Sequence, residues 1–349
     1  MKTINNLVRK NILELEAYTS ARETFNEDAK VFLDANENPY GNYNRYPDPY
    51  QKELKELIAS RKNVASHQIF LGNGSDEIID LLIRIFCQPQ KDLALGLSPS
   101  YGMYKVSCDI NDVGLIEIPL NKNLNFDWCA FEETNIKNKA KLFFLCSPNN
   151  PTGISISVAE LEAILNTFNG IVVVDEAYID FSTKESALAL LKDYNNLVVL
   201  QTLSKSAGMA ALRIGIAYSS NQIIELLNKV KSPYNISSLN QRTAVKQLLN
   251  QSVISKNIER IVLQRAKMKL DLEALNCTVK VYPSDANFLL VEVKDANDIY
   301  TKLLKRGIVT RNRNDLIPNC LRISIGTEQE NNLLINELKN YCNEEATIY

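Results

Sequence analysis

The chain of 349 residues has one histidine, His67, and that scarcity removes most imidazole chemistry. A Ser-His-Asp triad or a histidine-rich metal centre needs side chains the sequence does not supply. His67 reads as an ordinary surface residue after a helix. No two cysteines stand in C-x-x-C spacing, and the seven present are scattered and odd in number. Reduced thiols in a cytoplasmic protein fit that pattern better than a disulfide framework. No apolar run is long enough to cross a bilayer, and residues 1–17 carry none that reads as a signal peptide. Neither charge dominates: 39 basic against 41 acidic residues give a formal net charge of -2. That balance offers no footing for a nucleic-acid or membrane-surface partner.

What is present is a large apolar fraction, 45%, enough for two domains or one large and one small. Three apolar runs end in chemically active residues. Leu197 to Leu200 leads to Thr202-Leu203-Ser204-Lys205, with Arg213 eight residues beyond the lysine. Leu142 to Cys146 leads to Ser147-Pro148-Asn149-Asn150-Pro151-Thr152-Gly153. Ile171 to Val174 leads to Asp175-Glu176-Ala177-Tyr178. Open α/β sheets bind ligands beyond the carboxyl ends of their strands, so Lys205, Asn150, Asp175 and Tyr178 are expected to share one crevice. An amine, an acid, an amide and a phenol together suit pyridoxal phosphate.

Along the chain, residues 11–22 read as a short helix or arm, and 31–33 as a strand breaking into a loop. Tyr50 to Lys62 is amphipathic, with Leu54, Leu57 and Ile58 on one helical face. Ile69 to Leu71 is a strand before Gly72-Asn73-Gly74-Ser75-Asp76-Glu77. Ser75 is placed to cap a helix from Ile78 to Phe86. A glycine-rich turn at a helix start can cradle phosphate, although it lacks the Gly-Lys-Ser/Thr of a Walker loop, and Glu77 stands where a dinucleotide fingerprint needs its third glycine. Leu93 to Leu97 is a buried strand ending near Tyr101. Residues 121–138 look like a polar surface excursion. Strands and helices alternate to about residue 220, favouring a mainly parallel sheet. A connection at 230–240 and a long helical pattern at 252–275 follow. Strands at 279–282, 288–293 and 320–325, with helices at 299–306 and 331–341, form a smaller carboxyl-terminal unit.

Each residue has an ordinary reading beside the functional one. A lone lysine before a helix is usually solvated. Ser204-Lys205 as an acyl-transfer dyad is disfavoured, because adjacent side chains do not readily face each other. Lys205 makes more sense as a Schiff-base amine and proton carrier. Asp175, at the end of an apolar strand, needs a partner; a cofactor's pyridine nitrogen supplies one, and helix capping is the plain alternative. Asn150 and Tyr178 are placed to hydrogen-bond the ring's phenolate, and Tyr101 to stack on the ring or pack in the core. Arg213, Ser204 and the Gly74-Ser75 turn suit the phosphate. Arg322 sits among apolar neighbours and is costly unless paired. It suits an anionic substrate group, with Arg311 a weaker second.

These motifs, together with Asp34-Ala35-Asn36-Glu37-Asn38-Pro39, Arg45-Tyr46-Pro47, Pro99 to Tyr104 and Cys320-Leu321-Arg322-Ile323, resemble the fold-type I aminotransferases of the aspartate aminotransferase superfamily. Within it they are most similar to the histidinol-phosphate aminotransferases. The resemblance implies an α/β fold: a large domain with a mainly parallel seven-stranded sheet flanked by helices, plus a smaller α+β domain. It implies an arm over 1–38, a cofactor domain over 39–234 and a small domain over 235–349. Lys205, Asp175 and Tyr178 match the catalytic set. Gly74, Ser75, Asp76, Tyr101, Asn150, Ser204 and Arg213 match the cofactor ligands. Tyr46 matches a tyrosine reaching the neighbouring subunit's phosphate, hence a homodimer. Arg322 matches the substrate arginine, with Arg311, Tyr18 and Asn36 as helpers. The implied reaction moves an amino group between a small-molecule donor and a 2-oxo acid. Rivals are a broad-range or aromatic amino-acid aminotransferase and a decarboxylase of a phosphorylated amino acid. There are departures: Ala207 and Ala211 stand where the family carries a bulky aromatic and a glycine, and the segment from 38 to 45 is short.

Overall fold

Two sheets organise the protein, seen in a computed structural model that describes residues 3–19 and 30–347. The larger has seven strands: β1 (Ile69–Asn73), β2 (Leu93–Ser98), β3 (Gly114–Pro119), β4 (Leu142–Cys146), β5 (Ile171–Asp175), β6 (Leu197–Thr202) and β7 (Ile214–Ser219). Their spatial order is β1-β7-β6-β5-β4-β2-β3. The pairings among β2 to β6 are parallel, and only β7 runs against its neighbours β1 and β6. From β2 the chain goes outward to β3 and returns to β4 on β2's other side. The gap between β2 and β4 is therefore a topological switch point, where such sheets bind ligands.

The central strands are continuous apolar runs because both sheet faces are covered. Successive residues alternate between the faces. Val172 and Val174 join Leu54, Ile58, Ile164 and Leu165 on one side. Ile171 and Val173 join Ile79, Leu82 and Phe86 on the other. Ile4, Val8 and Ile12 pack into that second layer, while Ala244 and Leu248 join the first. Phe143 is fully buried; Phe143→Ala would cost about 3–5 kcal/mol through lost transfer energy and the cavity left behind.

The smaller sheet is antiparallel, in the order β10-β11-β9-β8, from β8 (Thr278–Val281), β9 (Phe288–Val293), β10 (Arg311–Asn312) and β11 (Cys320–Ser324). The Gln251–Glu273 helix, about 35 Å long at 1.5 Å per residue, ties it to the larger unit. From that helix Arg265 donates to the carbonyls of Phe181 (3.2 Å) and Ala286 (2.7 Å). Nearby, the Asp285 amide donates to the Gly153 carbonyl at 2.7 Å. Gly153 has φ +79°, and a Cβ there would collide with Ser284 Oγ, so only glycine allows this docking.

Three local expectations need correction. Residues 31–33 form no strand: Val31 and Leu33 are 70% and 89% exposed, with no ladder partner. The 121–138 excursion contains a helix, Trp128–Lys137, started by Asp127 accepting from the Ala130 amide. Its buried Phe131 stacks on Phe143 at 5.3 Å, so one aromatic contact overrides the polar composition. Ser75 does not cap its helix: the helix spans Ser75–Phe86 and Gly74, at φ +83°, occupies the cap position without a side-chain bond. The arm at 11–22 shows one helical turn, Lys10–Leu13, and its last residues, 20–22, lie outside the described residues. Among the described residues no helix is long and apolar enough to cross a membrane.

Candidate active site

The strand ends bring the predicted groups to one cleft. Asp175 closes β5 and is 3% exposed. Its Oδ2 accepts from the Tyr104 hydroxyl at 2.8 Å and its Oδ1 from the Ala177 amide at 3.1 Å. Burial raises its pKa above the usual carboxylate range, while these two hydrogen bonds and the Lys205 charge pull it back. The neighbouring Glu176 has another task. It is buried, accepts from Ser186, the Ala187 amide and Gln201, and lies outside the cleft.

Lys205 lies in a turn just past β6. The turn is pinned by Leu203 donating to the Ile214 carbonyl at 3.0 Å and Met209 donating to the Leu203 carbonyl at 2.9 Å. Lys205 projects into the cleft, with Nζ 5.7 Å from the centre of the Tyr178 ring. The side chain reaches solvent, yet protein crowds it enough that partial desolvation lowers its pKa; Arg322 and Arg213 add to the drop and Asp175 opposes it. Tyr178 is buried, and desolvation pushes its phenol well up.

At one end of the cleft the Ser75–Phe86 helix presents its amino terminus without a side-chain cap, where free N–H groups and the dipole favour an anion. Arg213 crosses this end so closely that a Cβ on Gly74 would meet its Nη2 at 2.5 Å. Arg213 itself has φ +51°, a left-handed conformation costing about 1–2 kcal/mol for a residue with a Cβ. A Cβ on Gly215 would collide with the Ser75 amide, so β7 approaches the turn only as glycine. Asp76 lies between Arg213 (3.5 Å) and the Tyr101 hydroxyl (3.0 Å). Ser204 lines the same end.

The other wall comes from the small sheet. Arg322 on β11 donates to Asn150 Oδ1 at 2.5 Å and lies 5.4 Å from the Phe288 ring centre. A guanidinium has no acceptor, so Asn150 must turn its oxygen to Arg322 and its amide nitrogen toward the Tyr178 hydroxyl, 3.4 Å away. Arg311 stands directly opposite Arg322 across β10 and β11. Arg313, two residues on, shares their face. Burial first, then Arg322 and Arg311, lowers Arg313 to about 10.

Of the residues expected from sequence, Ser75, Asp76, Tyr101, Asn150, Asp175 and Tyr178 line this cleft, as do Ser204, Lys205 and Arg213. Gly74 forms its turn, and Arg322 meets it through Asn150. Tyr18, Asn36 and Tyr46 do not line it within one chain. Tyr18 is exposed; Asn36 is exposed at φ +53°. Tyr46 stacks on Tyr234 at 4.4 Å. Sequence reasoning missed Tyr104, Cys146 and Arg313. Cys146 is the last residue of its apolar run, in register with Asp175. Arg313 was signalled by its two-residue spacing from Arg311. Nothing in the sequence marked the Tyr104 contact. Ala207 faces a separate cavity, not the cofactor cleft.

A desolvated carboxylate with only neutral donors, a lysine beside it and an anion cradle at the other end fit pyridoxal phosphate. Asp175 could answer its ring nitrogen, and the Gly74–Asp76 turn, Ser204 and Arg213 could hold its phosphate. The fold and this donor set are those of a fold-type I, pyridoxal phosphate-dependent aminotransferase. The chain belongs to the family "Aminotransferase class I and II", which it matches over residues 11–338. It is 49% identical over 314 residues to the histidinol-phosphate aminotransferase of Flavobacterium psychrophilum, covering 89% of this chain and 90% of that one. It is 47% identical over 317 residues to that of Cytophaga hutchinsonii, covering 89% and 91%. Among solved structures it resembles the histidinol-phosphate aminotransferase of Clostridium acetobutylicum (TM-score 0.80, 24% identity, 87% of this chain and 92% of that one). It also resembles that of Sinorhizobium meliloti in complex with pyridoxal-5'-phosphate (TM-score 0.78, 22% identity, 86% and 83%).

Proposed function

We propose that the enzyme moves the amino group reversibly between L-histidinol phosphate and 2-oxoglutarate, as a cytoplasmic step of histidine biosynthesis. The observation that carries the substrate choice is the arginine patch. Arg311, Arg313 and Arg322 share one face, and no carboxylate forms an ion pair with any of them among the described residues. A phosphate dianion relieves that repulsion more fully than a carboxylate does. The similarity to curated histidinol-phosphate aminotransferases supports the same choice.

Bound pyridoxal phosphate supplies an electron sink that stabilises negative charge at the substrate's amine-bearing carbon. The chain's own groups do the rest. Asp175, held by Tyr104 and the Ala177 amide, would keep a proton on the ring nitrogen. Asn150 and Tyr178 would donate to the ring oxygen. Lys205 Nζ, whose pKa is lowered by partial desolvation and by Arg322, would take the proton from the amine-bearing carbon and hold it for return. Arg322 orients the donor by its anionic end. Both half-reactions use the same cleft, so the kinetics are ping-pong.

The working unit is proposed to be a homodimer in which Tyr46 reaches the partner's cofactor phosphate. Tyr40, Tyr43 and Tyr46 are 83%, 80% and 50% exposed in the single chain, an aromatic surface that a partner would cover. Tyr18 and Asn36 are proposed to help hold substrate. The 39–234 and 235–349 bodies are proposed to close on it.

Single-turnover amine transfer tests the substrate reading, using L-histidinol phosphate, L-histidinol, phenylalanine and O-phosphothreonine as donors. Histidinol phosphate is expected to react at least 100-fold faster than the two unphosphorylated donors. Faster transfer from phenylalanine would establish an aromatic aminotransferase. Carbon dioxide release from O-phosphothreonine without a 2-oxo acid would establish the decarboxylase.

A further inference from the structure

On the far side of the Lys205 turn lies a second cavity, of about 360 Å³. It is bounded by the sheet face carrying the Lys52–Lys62 and Ser238–Leu248 helices. Its volume is in the range of small-molecule pockets. Thr202 belongs to both cavities. Leu203, Ser206 and Ala207, which flank Ser204 and Lys205, form its near wall.

Its lining is not that of a packing defect. Ile58, Ile216, Leu248, Ile254 and Ile258 make apolar walls. Tyr218 lines it, fully buried, and its hydroxyl has no hydrogen-bond partner. A buried unpaired hydroxyl costs about 1–3 kcal/mol, a cost that a ligand acceptor would relieve on reaching it as the cavity wall yields. Asp180, also on the wall, is held in place by Lys62 at 3.2 Å and by the Ser206 hydroxyl. Of the three charged residues that line the cavity, Lys62 and Asp180 pair with each other and Arg61 stands at the rim. The apolar interior therefore offers no unpaired charge to an ion.

We infer that this cavity is a second binding site, taking a small neutral aromatic molecule that carries a hydrogen-bond acceptor for Tyr218 and a donor for Asp180. An aromatic amide has that pairing of atoms. Because one segment walls both cavities, occupancy bears on the turn that presents Lys205. The inference stands whichever amino donor the enzyme uses.

Benzamide is the probe, titrated calorimetrically into the pyridoxal phosphate-loaded protein with inorganic phosphate present to fill the arginine patch. Saturable one-site binding per chain is expected, weakened at least 10-fold by Ala207→Phe, which fills the space. Tyr218→Phe is expected to weaken it about 3- to 10-fold while leaving amine transfer without benzamide unchanged. Toluene, which lacks both polar atoms, is expected to bind more weakly than benzamide. The inference is overturned by an absence of saturable binding, or by binding that neither substitution alters. It is equally overturned if a crystal structure of the loaded protein shows a side chain of a second copy filling the cavity.

Discussion

The two walls of the cofactor cleft treat charge in opposite ways. Along the large sheet, Asp175 is buried and answered by neutral donors, a phenol at 2.8 Å and an amide at 3.1 Å. Along the small sheet, Arg311, Arg313 and Arg322 crowd one face, and the Nε atoms of Arg313 and Arg322 are buried without a hydrogen-bond partner. The first wall is finished by its own chain except for one cation, which a bound pyridinium would supply. The second is left in repulsion that an anion would relieve. On the proposed function, binding energy from the substrate would be concentrated in the small sheet, and the chemistry in the large one.

The sharpest way to break this division is to remove the amine. Lys205→Ala is expected to lower turnover by at least about 10⁴-fold, because it removes both the covalent anchor and the proton carrier. The lysine-linked absorbance of the loaded protein should disappear with it. Retained turnover would move the chemistry elsewhere. Asp175→Asn comes next, with a loss of about 10³-fold measured as kcat/KM. Its stability effect has the opposite sign. A carboxyl whose folded pKa is raised contributes stability below its ordinary range, and that stability is lost as pH rises through the folded value. At pH 7 the cofactor-free Asp175→Asn protein should therefore melt no lower than the parent, and its advantage should vanish toward pH 4.

On the arginine side, the effects should fall on the donor and form a ladder. Arg322→Gln removes the cation that touches Asn150, and is expected to cost about 10²-fold or more in kcat/KM for a phosphorylated donor. Arg313→Gln is expected to cost about tenfold, mostly in KM, because it sits behind Arg322 and acts by adding charge. Neither should change the absorbance of the bound cofactor. If Arg313→Gln tightened binding of the phosphorylated donor, the patch would not be an anion site.

Much of the large-sheet wall was legible in the sequence, because runs such as Ile171–Asp175 are continuously apolar and end at the polar group they deliver. The small-sheet wall was only half legible. Arg322 stands out inside an apolar strand, whereas β10 is two residues long and leaves no periodicity for Arg313 to interrupt. The Tyr104 contact with Asp175 joins residues 71 apart, and no local pattern encodes such a pairing. The Trp128–Lys137 helix was hidden because its stability comes from Phe131 meeting Phe143, a tertiary contact that composition does not display. Tyr46 was legible only by resemblance, since its proposed task requires a second chain.

The smallest effect on turnover, and the finest test of the comparison, concerns a buried cation with no anion to await. Lys55 is 7% exposed, and its ammonium lies 6.0 Å from the centre of the Tyr50 ring, with Lys231 5.8 Å from the same ring. Burial chiefly, and then the Lys231 charge, lowers its pKa from 10.5 to about 8, against the pull of Asp48. A lysine whose folded pKa is depressed favours the fold above its ordinary pKa, and that contribution is lost as pH falls through about 8. The drop corresponds to at most about 3 kcal/mol against the folded state at pH 7. Lys55→Met keeps the apolar stem and removes the charge, so it should raise the melting temperature at pH 7. The gain should shrink steadily between pH 8 and 10.5, and turnover should not change. Melting curves across that range decide the matter. A gain independent of pH would assign the effect to packing, and a fall in turnover would place Lys55 with the arginines that serve the substrate.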